Sequence, residues 1–383
     1  MRILHVIPSF YPAYIYGGPI ESTYQLCCHL ALNGCNVRVL TTDANGPDKV
    51  LDVEKDREVK INDEFYVRYC KRLMPDSVSY RLLRVLLHFI HWADIVHLTA
   101  VYSFPTIPTL ITCKILGKPV IWSPRGAFKR WQGSTRVQIK ALWEWVCRSA
   151  APKSLVLHVT SEEEARESLK RFPRLETFII PNGVAIPDQV RHHNNNGILR
   201  LLYLGRLHPI KGIENLLEAG KILSSDHELV WSLTIAGSGD PDYTESIRMK
   251  IKELALSQNV KMVGEVRGED KQFLFENTDV VVVPSHTENF GMVVAEALSH
   301  EIPVIASKGT PWSRIEEVGC GLWVDNNYKS LAEAIKQISQ MSLQKMGQQG
   351  RAWMVRDFAW DTIAKKMITL YQSFIKPPFN QPN

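Results

Sequence analysis

Short apolar runs alternate with amphipathic stretches along the whole chain. Ten runs are continuous enough in apolar residues to indicate buried strands: RILHVI, NVRVLTT, IVHLT, PVIWS and LVLHVTS in the first half, then LRLLYLG, SLTIAG, VKMVG, VVVVPS and PVIAS in the second. The stretches between them have apolar residues at helical spacing. Because strands that alternate with helices form parallel sheets covered by helices, the pattern predicts an α/β protein built from two similar halves.

A polar segment separates the two halves. Residues Pro187–Gly197, PDQVRHHNNNG, include few apolar side chains and many turn formers, which is typical of a linker. A chain of 383 residues is long for one core and suits two domains of typical size. We therefore place domains at 1–187 and 188–360. The histidines of this segment could also ligate a metal, but no acidic or cysteine partner adjoins them, and a polar linker accounts for the composition.

Composition narrows the class of protein. The net charge of +5 is too modest for a nucleic-acid binder and suits anionic substrates. The seven cysteines lack zinc-binding spacing, which favours a reduced, cytoplasmic chain. The first apolar run is broken at Pro8 before a signal-peptide core forms, and no run approaches the roughly 20 residues of a membrane span. We expect a cytoplasmic protein, in peripheral contact with the inner face of the membrane at most.

Two acidic residues flank a predicted strand-to-helix passage, SHTENFGMVVAEAL. The strand at 280–283 ends before Pro284, and helical spacing resumes at Met292. Glu288 and Glu296 therefore lie near the carboxyl end of a strand, where open parallel sheets bind ligands. Glu288 has a simpler alternative, since an acidic residue near a helix N-terminus complements the helix dipole. Glu296 lies among apolar residues, so we expect hydroxyl groups or cations to meet it.

Another strand, glycine turn and helix follows the linker. The run LRLLYLG ends at Gly205, and Arg206 and Lys211 precede the helical stretch IENLLEA. Arginine offers a planar fork to phosphate oxygens, lysine offers a compact charge, and a helix N-terminus adds positive potential. Without further evidence, an arginine and a lysine in a loop are typical of solvated surface charges. Together with two carboxylates that accept hydrogen bonds from hydroxyl groups, they indicate a site for a nucleotide that carries a sugar.

These motifs resemble a known family. They have the look and order of the retaining GT-B glycosyltransferases of family 4 (glycosyltransferase group 1), of the polysaccharide-biosynthesis type: MRILHVIPSFYPAYIYGGPIEST, IPNGV, GRLHPIKG, HTENFGMVVAEAL and GTPWSRIEEVGCGLWV. The resemblance spans nearly the whole chain. It implies two Rossmann-like doubly wound parallel-sheet domains that face a central cleft. The first would bind the acceptor, the second would bind the nucleotide-sugar donor, and a C-terminal helix at 361–383 would cross back to the first domain.

The resemblance also implies roles for residues. Arg206 and Lys211 would stabilise the departing diphosphate, and Glu288 would act with them at the reacting sugar. The further donor contacts implied are Gly17, Gly18, Val266, Asn289, Phe290, Gly291 and Glu296. Of these, the glycine turn would face the diphosphate, although it could also be a plain turn. Glu296 would bind the ribose, and the backbone at Val266 would contact the nucleobase. No metal or other cofactor is implied, because the cations already supply the charge that a metal would provide.

One position departs from the family pattern. Many members have a histidine after the fourth strand that contacts the donor sugar, whereas this chain has WSPRGAF. Arg125 or Gly126 falls near that place. An arginine cannot act as a general base, but it can orient an acceptor or hold anionic oxygens. His97, in IVHLTAVYSF, lies at another predicted strand end and is a second candidate on the acceptor side, with a structural role as the alternative.

Two further patterns are typical of other kinds of site. Asp240 and Asp242 form a DxD, which in other glycosyltransferases binds a divalent metal, but the family resemblance gives this loop no metal role. The GSG at 237–239 lacks the third glycine of a dinucleotide-binding fingerprint. We therefore expect neither a metal nor a dinucleotide there.

The substrates are less well defined by the sequence. We predict UDP-glucose as donor because uridine donors and glucose are common in the family, and a saccharide or a lipid-linked acceptor. The stretches YRLLRVLLHFIHW and GAFKRWQGSTRVQIKALWEWVCRSAAPK, with Trp131, Trp143 and Trp145, combine basic and apolar residues. They indicate either a membrane interface or helices that pack on the sheet. Two other functions stay open: a nucleotide-sugar 2-epimerase of similar architecture, and an inert nucleotide-sugar-binding protein.

Overall fold

The chain forms two compact units. The structure, a computed structural model, describes residues 1–74, 77–129, 137–191, 197–225 and 229–375. One unit comprises Met1–Gly183 and the chain from Trp360 onward, and the other comprises Val184–Ala359. This division lies four residues before the boundary placed at 187, because the Pro187 carbonyl accepts a hydrogen bond from Arg351 of the second unit (2.6 Å). Of the linker segment, residues 192–196 lie outside the described ranges.

Within those ranges, the first unit contains an eight-stranded sheet. Its strands are β1 (Arg2–Ser9), β2 (Asn36–Thr42), β3 (Glu58–Asn62), β4 (Phe65–Cys70), β5 (Ile95–Thr99), β6 (Val120–Ser123), β7 (Leu155–Val159) and β8 (Thr177–Ile179). The strand order is β3-β4-β2-β1-β5-β6-β7-β8. All neighbours are parallel except β3, which is antiparallel to β4. The predicted parallel sheet is confirmed, and β3 is an additional antiparallel strand at its edge.

Helices cover both faces of the first sheet. They are α1 (Gly18–Leu32), α2 (Tyr80–Trp92), α3 (Thr106–Leu116), α4 (Val137–Ala150) and α5 (Glu162–Arg171). Alternate residues of β1 enter different cores: Ile3 and Ile7 pack in one, Leu4 and Val6 in the other. Burial on both faces explains why this strand is a continuous apolar run rather than an alternating one.

The second unit contains a six-stranded parallel sheet within the described ranges. Its strands are β9 (Leu199–Leu204), β10 (Trp231–Ala236), β11 (Val260–Gly264), β12 (Val280–Val283), β13 (Val304–Ser307) and β14 (Gly321–Val324). Its helices are α6 (Ile213–Ser224), α7 (Pro241–Glu253), α8 (Gly268–Glu276), α9 (Met292–Ser299), α10 (Ile315–Val318), α11 (Tyr328–Ser339) and α12 (Leu343–Asp357).

The order of the second sheet sets the position of its loops. The order is β11-β10-β9-β12-β13-β14, so the chain builds outward from β9 on one side and then from β12 on the other. The two central strands β9 and β12 are neighbours, and the connections after them diverge. Such a switch point leaves a crevice at the carboxyl ends of the strands, where doubly wound sheets bind ligands. It therefore brings together the loops that follow LRLLYLG and VVVV.

The last helix, α13 (Trp360–Ile375), belongs to the first unit. It packs against α1 and buries one face, whose members are Trp360, Ile363, Ala364, Met367, Leu370 and Tyr371. A Cβ atom at Gly183 would lie 2.4 Å from the Trp360 ring, so a glycine is required there. Residues 376–383 of the predicted C-terminal helix lie outside the described ranges. No helix within the described ranges combines the length and the apolar character needed to cross a bilayer.

Candidate functional site

The loop after β9 packs closely against the loop after β12. Lys211 ends a short 3-10 turn, and Gly212 follows with a φ of +63° before α6 begins. A Cβ atom at Gly212 would lie 2.2 Å from the carbonyl oxygen of Pro284. The His286 N–H donates to the Ile210 carbonyl across the same contact (2.8 Å). The two loops approach this closely because glycine both adopts the left-handed conformation and lacks a side chain.

This contact brings Lys211 and Glu288 together. The Lys211 ammonium forms an ion pair with Glu288 Oε1, and Ser285 Oγ donates to the same oxygen (2.8 Å). Both paired side chains are largely buried, with 20% and 14% of their areas exposed. The Glu288 N–H donates to the Gly309 carbonyl (2.8 Å), which fixes the backbone. An ammonium has three protons, so Lys211 can hold Glu288 and an oxygen of a ligand at the same time.

The surroundings of this pair are electropositive. Arg206 is exposed in the same loop, and its carbonyl accepts a hydrogen bond from Tyr203 Oη (2.9 Å). Burial, with the charges of Arg206 and Lys211, lowers the pKa of His208. Burial, with the nearby charge of Glu288, raises the pKa of Tyr203, so the phenol stays neutral. A loop with two cations, next to the N-terminus of α6, can accept a diphosphate.

Glu296 lies on α9 and is met by a cation. Lys271 Nζ, from α8, donates to Glu296 Oε1 at 2.7 Å, and the carboxylate is 24% exposed. The sequence indicated that this carboxylate needed a cation or hydroxyl partner, but it did not identify Lys271. The preceding helix, which β12 separates from α9 along the chain, supplies it, and no local spacing marks such a pair. The second Glu296 oxygen has unused acceptor capacity for ligand hydroxyl groups.

The residues between the two glutamates have different environments. Phe290 is buried in a cluster with Trp312 and Phe358, and its carbonyl accepts a hydrogen bond from Trp312 Nε1. The predicted contact of Phe290 with a sugar is therefore limited to its backbone. Gly291 adopts a φ of +78° and caps α9, while Asn289 is partly exposed beside it.

Other predicted donor residues lie at the carboxyl ends of strands in their own units. Val266 follows β11 and packs, partly buried, against the apolar cluster that contains Phe290 and Trp312. Gly17 has a φ of +77° and caps α1, and Gly18 is the first residue of that helix, so both are in the loop after β1. In the first sheet, β1 and β5 are the neighbours at which the strand order diverges.

The DxD and the GSG have structural roles. Asp240 caps α7, because its Oδ1 accepts hydrogen bonds from the N–H groups of Asp242 and Tyr243 (3.0 and 3.2 Å). Cβ atoms at Gly237 and Gly239 would lie 1.8 and 2.0 Å from the carbonyl oxygens of Gly205 and Leu207. The two glycines thus let the loop after β10 pack on the loop after β9.

His97 does not lie at a strand end, and that prediction is wrong. It is the middle residue of β5, fully buried, and joined to a chain of hydrogen bonds. His158 Nε2 donates to the Ile180 carbonyl (2.9 Å), so its Nδ1 accepts from Ser123 Oγ (2.7 Å). Ser123 Oγ then accepts from His97 Nε2 (2.7 Å), and His97 Nδ1 accepts from Tyr371 Oη (2.5 Å). The Ile180 carbonyl thus sets the donor in each hydrogen bond of this series, and both ring nitrogens of the buried His97 are occupied.

Arg125 and Gly126 lie in the turn after β6. Arg125 has a φ of +54° and Gly126 a φ of +77°. Arg125 Nη1 donates to Asn182 Oδ1 (2.5 Å), and the Gly126 N–H donates to Glu164 Oε1 (2.5 Å). Neither partner was predicted, because both come from segments distant in the chain. Arg125 stays a candidate on the acceptor side.

Both halves of the chain match models of glycosyltransferase families. Residues 187–353 match the model of the glycosyl transferases group 1, and residues 16–186 match the model of glycosyltransferase family 4. An uncharacterized glycosyltransferase of Methanocaldococcus jannaschii is 32% identical over 45% of this chain and 44% of that protein. The GDP-mannose:cellobiosyl-diphosphopolyprenol alpha-mannosyltransferase of Xanthomonas oryzae is 27% identical over 90% of this chain and 88% of that protein.

The fold has counterparts among solved structures. The Anabaena protein HepE, solved in complex with UDP-glucose, superposes with a TM-score of 0.72 over 97% of this chain and all of that chain, at 18% identity. At this identity the likeness concerns the fold alone.

Proposed function

The chain belongs to the group 1 glycosyltransferases of family 4, with the GT-B fold, and on that premise we propose that it transfers a hexose from a nucleotide-diphosphate sugar to a saccharide or lipid-linked acceptor. The process would be cell-envelope or exopolysaccharide biosynthesis. The observation that supports this proposal is the Lys211–Glu288 pair at the β9–β12 switch point. It sets a cation for phosphate beside a carboxylate for sugar hydroxyl groups.

The proposed roles follow from the charges of the reaction. Glycosyl transfer develops positive charge on the anomeric carbon and negative charge on the departing diphosphate. Arg206 and Lys211 would stabilise the diphosphate, and Glu288 would hold the sugar hydroxyl groups while it orients Lys211. Glu296 would accept hydrogen bonds from the ribose. Since these cations supply the positive charge, we propose a reaction that needs no metal, and the family resemblance favours retention of configuration.

Two donors merit direct comparison. UDP-glucose is the donor predicted from the sequence. GDP-mannose is the second candidate, because a relative aligned over 90% of this chain is described as using it. The two donors differ in base and in the configuration of the sugar, so one panel separates them.

The first experiment measures nucleoside diphosphate released from a panel of nucleotide sugars by the purified protein, without acceptor and with EDTA. Lys211→Ala and Glu288→Ala are compared with the wild type, and Lys308→Ala is the control, since Lys308 pairs with Asp325 on an exposed surface (3.1 Å). We expect slow hydrolysis of one donor, lost by about 100-fold or more in both site variants and kept in the control. Formation of an epimer, or no binding of any donor, would contradict the proposal.

We also propose that α2, α3 and α4 contact an anionic membrane that carries the acceptor. These neighbouring helices expose large apolar side chains: Leu83, Leu87, Ile111, Ile115, Ile139, Leu142 and Trp145. Neither α2 nor α3 contains an acidic residue, and Glu144 of α4 is buried. Exposed Arg84, Lys114 and Arg148 add positive charge. Trp143 points inward, donating to the Val101 carbonyl (2.8 Å), and Trp131 lies outside the described residues.

Vesicle co-sedimentation tests this surface. We expect binding to phosphatidylglycerol vesicles that weakens with salt, little binding to phosphatidylcholine, and loss of binding in Leu142→Glu/Trp145→Glu. Equal binding by the wild type and the double variant would contradict the proposal. It would also be contradicted if the wild type formed dimers that the double variant does not form, since the surface would then join two copies of the chain.

A further inference from the structure

The backbone at Arg125 is held in an uncommon conformation. A positive φ is uncommon in a residue other than glycine, so surrounding contacts must maintain it. The Gly126 N–H donates to Glu164 Oε1, and the Ala127 N–H donates to the Pro124 carbonyl (3.2 Å). These bonds fix a turn at the carboxyl end of β6, where parallel sheets present their binding groups.

The Arg125 charge lacks a carboxylate partner among the described ion pairs. Its Nη1 donates to the neutral amide of Asn182, and its Nε is buried without a hydrogen-bond acceptor. The nearby acid is Glu164, but both of its oxygens are engaged: Oε1 accepts from the Gly126 N–H, and Oε2 accepts from the N–H and hydroxyl of Thr160 (both 2.8 Å). Arg125 therefore differs from Arg2, Arg38 and Arg81, which each pair directly with a carboxylate.

Three buried histidines near Arg125 carry no charge that could pair with it. Burial and the Arg125 charge lower the pKa of His5 and of His158 to about 3, and the pKa of His97 is lowered in the same way. All three rings are therefore neutral near pH 7. Glu164 is the one carboxylate near Arg125 among the described residues, and it attracts the guanidinium without bonding to it, because its oxygens accept from other donors. A desolvated guanidinium is costly unless an anion pairs with it directly, so the arrangement points to an anion that comes from outside the chain.

We propose that Arg125 binds an oxyanion, a phosphate or a carboxylate, carried by the acceptor. The assignment of the anion to the acceptor rests on the proposed transferase function, in which the donor diphosphate already has Arg206 and Lys211. A guanidinium fits two oxygens of one phosphate or carboxylate through parallel N–H donors. The acceptor of this enzyme is accordingly an anionic saccharide or a phosphate-linked one, and a neutral free sugar is a poor substitute.

Titration with inorganic phosphate tests the site directly. Lys211→Ala serves as the parent, so that the ammonium proposed to bind the donor diphosphate does not contribute, and calorimetry compares it with Lys211→Ala/Arg125→Gln. Removing the charged hydrogen-bond donor should weaken phosphate binding about 10- to 100-fold. Lys211→Ala/Lys129→Gln is the matched control, because Lys129 lies four residues along the same loop and is paired with Glu163 (2.6 Å). Equal binding in all three proteins, or none in the parent, would overturn the proposal.

A second variant separates anion binding from a structural role. Asn182→Asp places a carboxylate against Nη1 without a change of shape, so the protein should fold at least as well and lose phosphate binding. If Arg125 serves only to hold Asn182, this variant binds phosphate as its parent does, and the proposal fails.

The source of the anion is decided with the active enzyme. Glucose, glucose 1-phosphate and glucuronate are compared as inhibitors of transfer, or as acceptors, with wild type and Arg125→Gln. The variant should lose discrimination between charged and neutral sugars, and equal discrimination by the wild type and the variant would contradict the proposal. If the wild type consumes no donor, the proposed function fails, while the phosphate titration still decides the role of Arg125.

Discussion

Glu288 and Glu296 of the second unit are each paired with a lysine, but their surroundings differ. Glu288 Oε1 contacts both Lys211 and Ser285, in the loops that hold the cations proposed to bind the diphosphate. Glu296 pairs with Lys271 on a helix, further from those cations along the chain. Both remain partly exposed, so each can exchange contacts with a ligand without a buried charge being left unpaired.

Glu296→Gln should raise the KM for the nucleotide sugar about 10-fold and leave kcat within about 3-fold. The variant loses charged hydrogen bonds to the ribose, which are made equally in the ground state and the transition state. Steady-state kinetics with the active donor provide the measurement. Glu253→Gln, an exposed residue at the end of α7, is the control. An unchanged KM, or a fall confined to kcat, would assign Glu296 another role.

At the scale of elements, the burial of a strand decides whether the sequence pattern predicts it. Most of the predicted strands are buried on both faces, since burial demands continuous apolar runs, and β11 is the one predicted strand at a sheet edge. The strands that were missed are β3, β4, β8 and β14, three of which are edge strands with a single neighbour. Edge strands bury less area, so their residues are more mixed: β3 reads EVKIN and is mostly exposed.

Asp240→Ala should lower the free energy of unfolding of the second unit by about 1 kcal/mol, because α7 loses its N-cap. Donor turnover should be unchanged, with or without EDTA. Thermal or urea unfolding beside a turnover assay measures both effects. Asp242→Ala is the matched control, since that side chain does not cap the helix. Activity lost in Asp240→Ala and restored by Mn²⁺ would instead indicate a metal site.

Tyr371→Phe should destabilise the first unit by about 1 to 3 kcal/mol. The substitution removes the hydroxyl that donates to His97 Nδ1 and leaves that buried nitrogen without a donor. Tyr328→Phe, at an exposed position on α11, should change stability by less than about 0.5 kcal/mol. Denaturant unfolding compares the two variants. Equal stability of Tyr371→Phe and wild type would show that the hydrogen bonds that run from Tyr371 to the Ile180 carbonyl contribute little to the free energy of unfolding.

At the scale of the whole molecule, the alternation of strands and helices is sufficient to predict two α/β units. The sequence pattern does not identify contacts between residues that are distant in the chain. The domain boundary depended on polar composition, but the packing of Pro187 against Arg351 extends the second unit further back. His97 was misplaced because a histidine in IVHLT was read as a strand end. Its neighbours Val96 and Leu98 are both buried, which is the signal of a strand covered on both faces.

The buried histidines predict acid lability. His5 and His158 have a pKa of about 3 in the folded state, and an unfolded histidine has a pKa of about 6.5. The unfolded chain therefore binds more protons below pH 6.5, and the free energy of unfolding falls as the pH falls from 6.5 toward 3. The limiting loss is about 1.4 kcal/mol per pH unit for each histidine.

Denaturant unfolding at intervals from pH 7 to 4.5, above the range in which most carboxylates titrate, measures this slope. His158→Gln should reduce it, and His88→Gln should not, because His88 is exposed on α2. A slope that is the same in all three proteins would contradict the assignment.

The placement of α13 has a consequence for biosynthesis. A ribosome releases the strands of the first unit early, but the helix that covers α1 emerges only after all residues of the second unit have been translated. At roughly 5 to 20 residues per second, the nascent first unit spends several seconds or longer with the apolar surface beneath Trp360, Met367 and Tyr371 uncovered. The nascent first unit therefore exposes apolar surface that chaperones can bind, and it completes its core only after α13 has emerged.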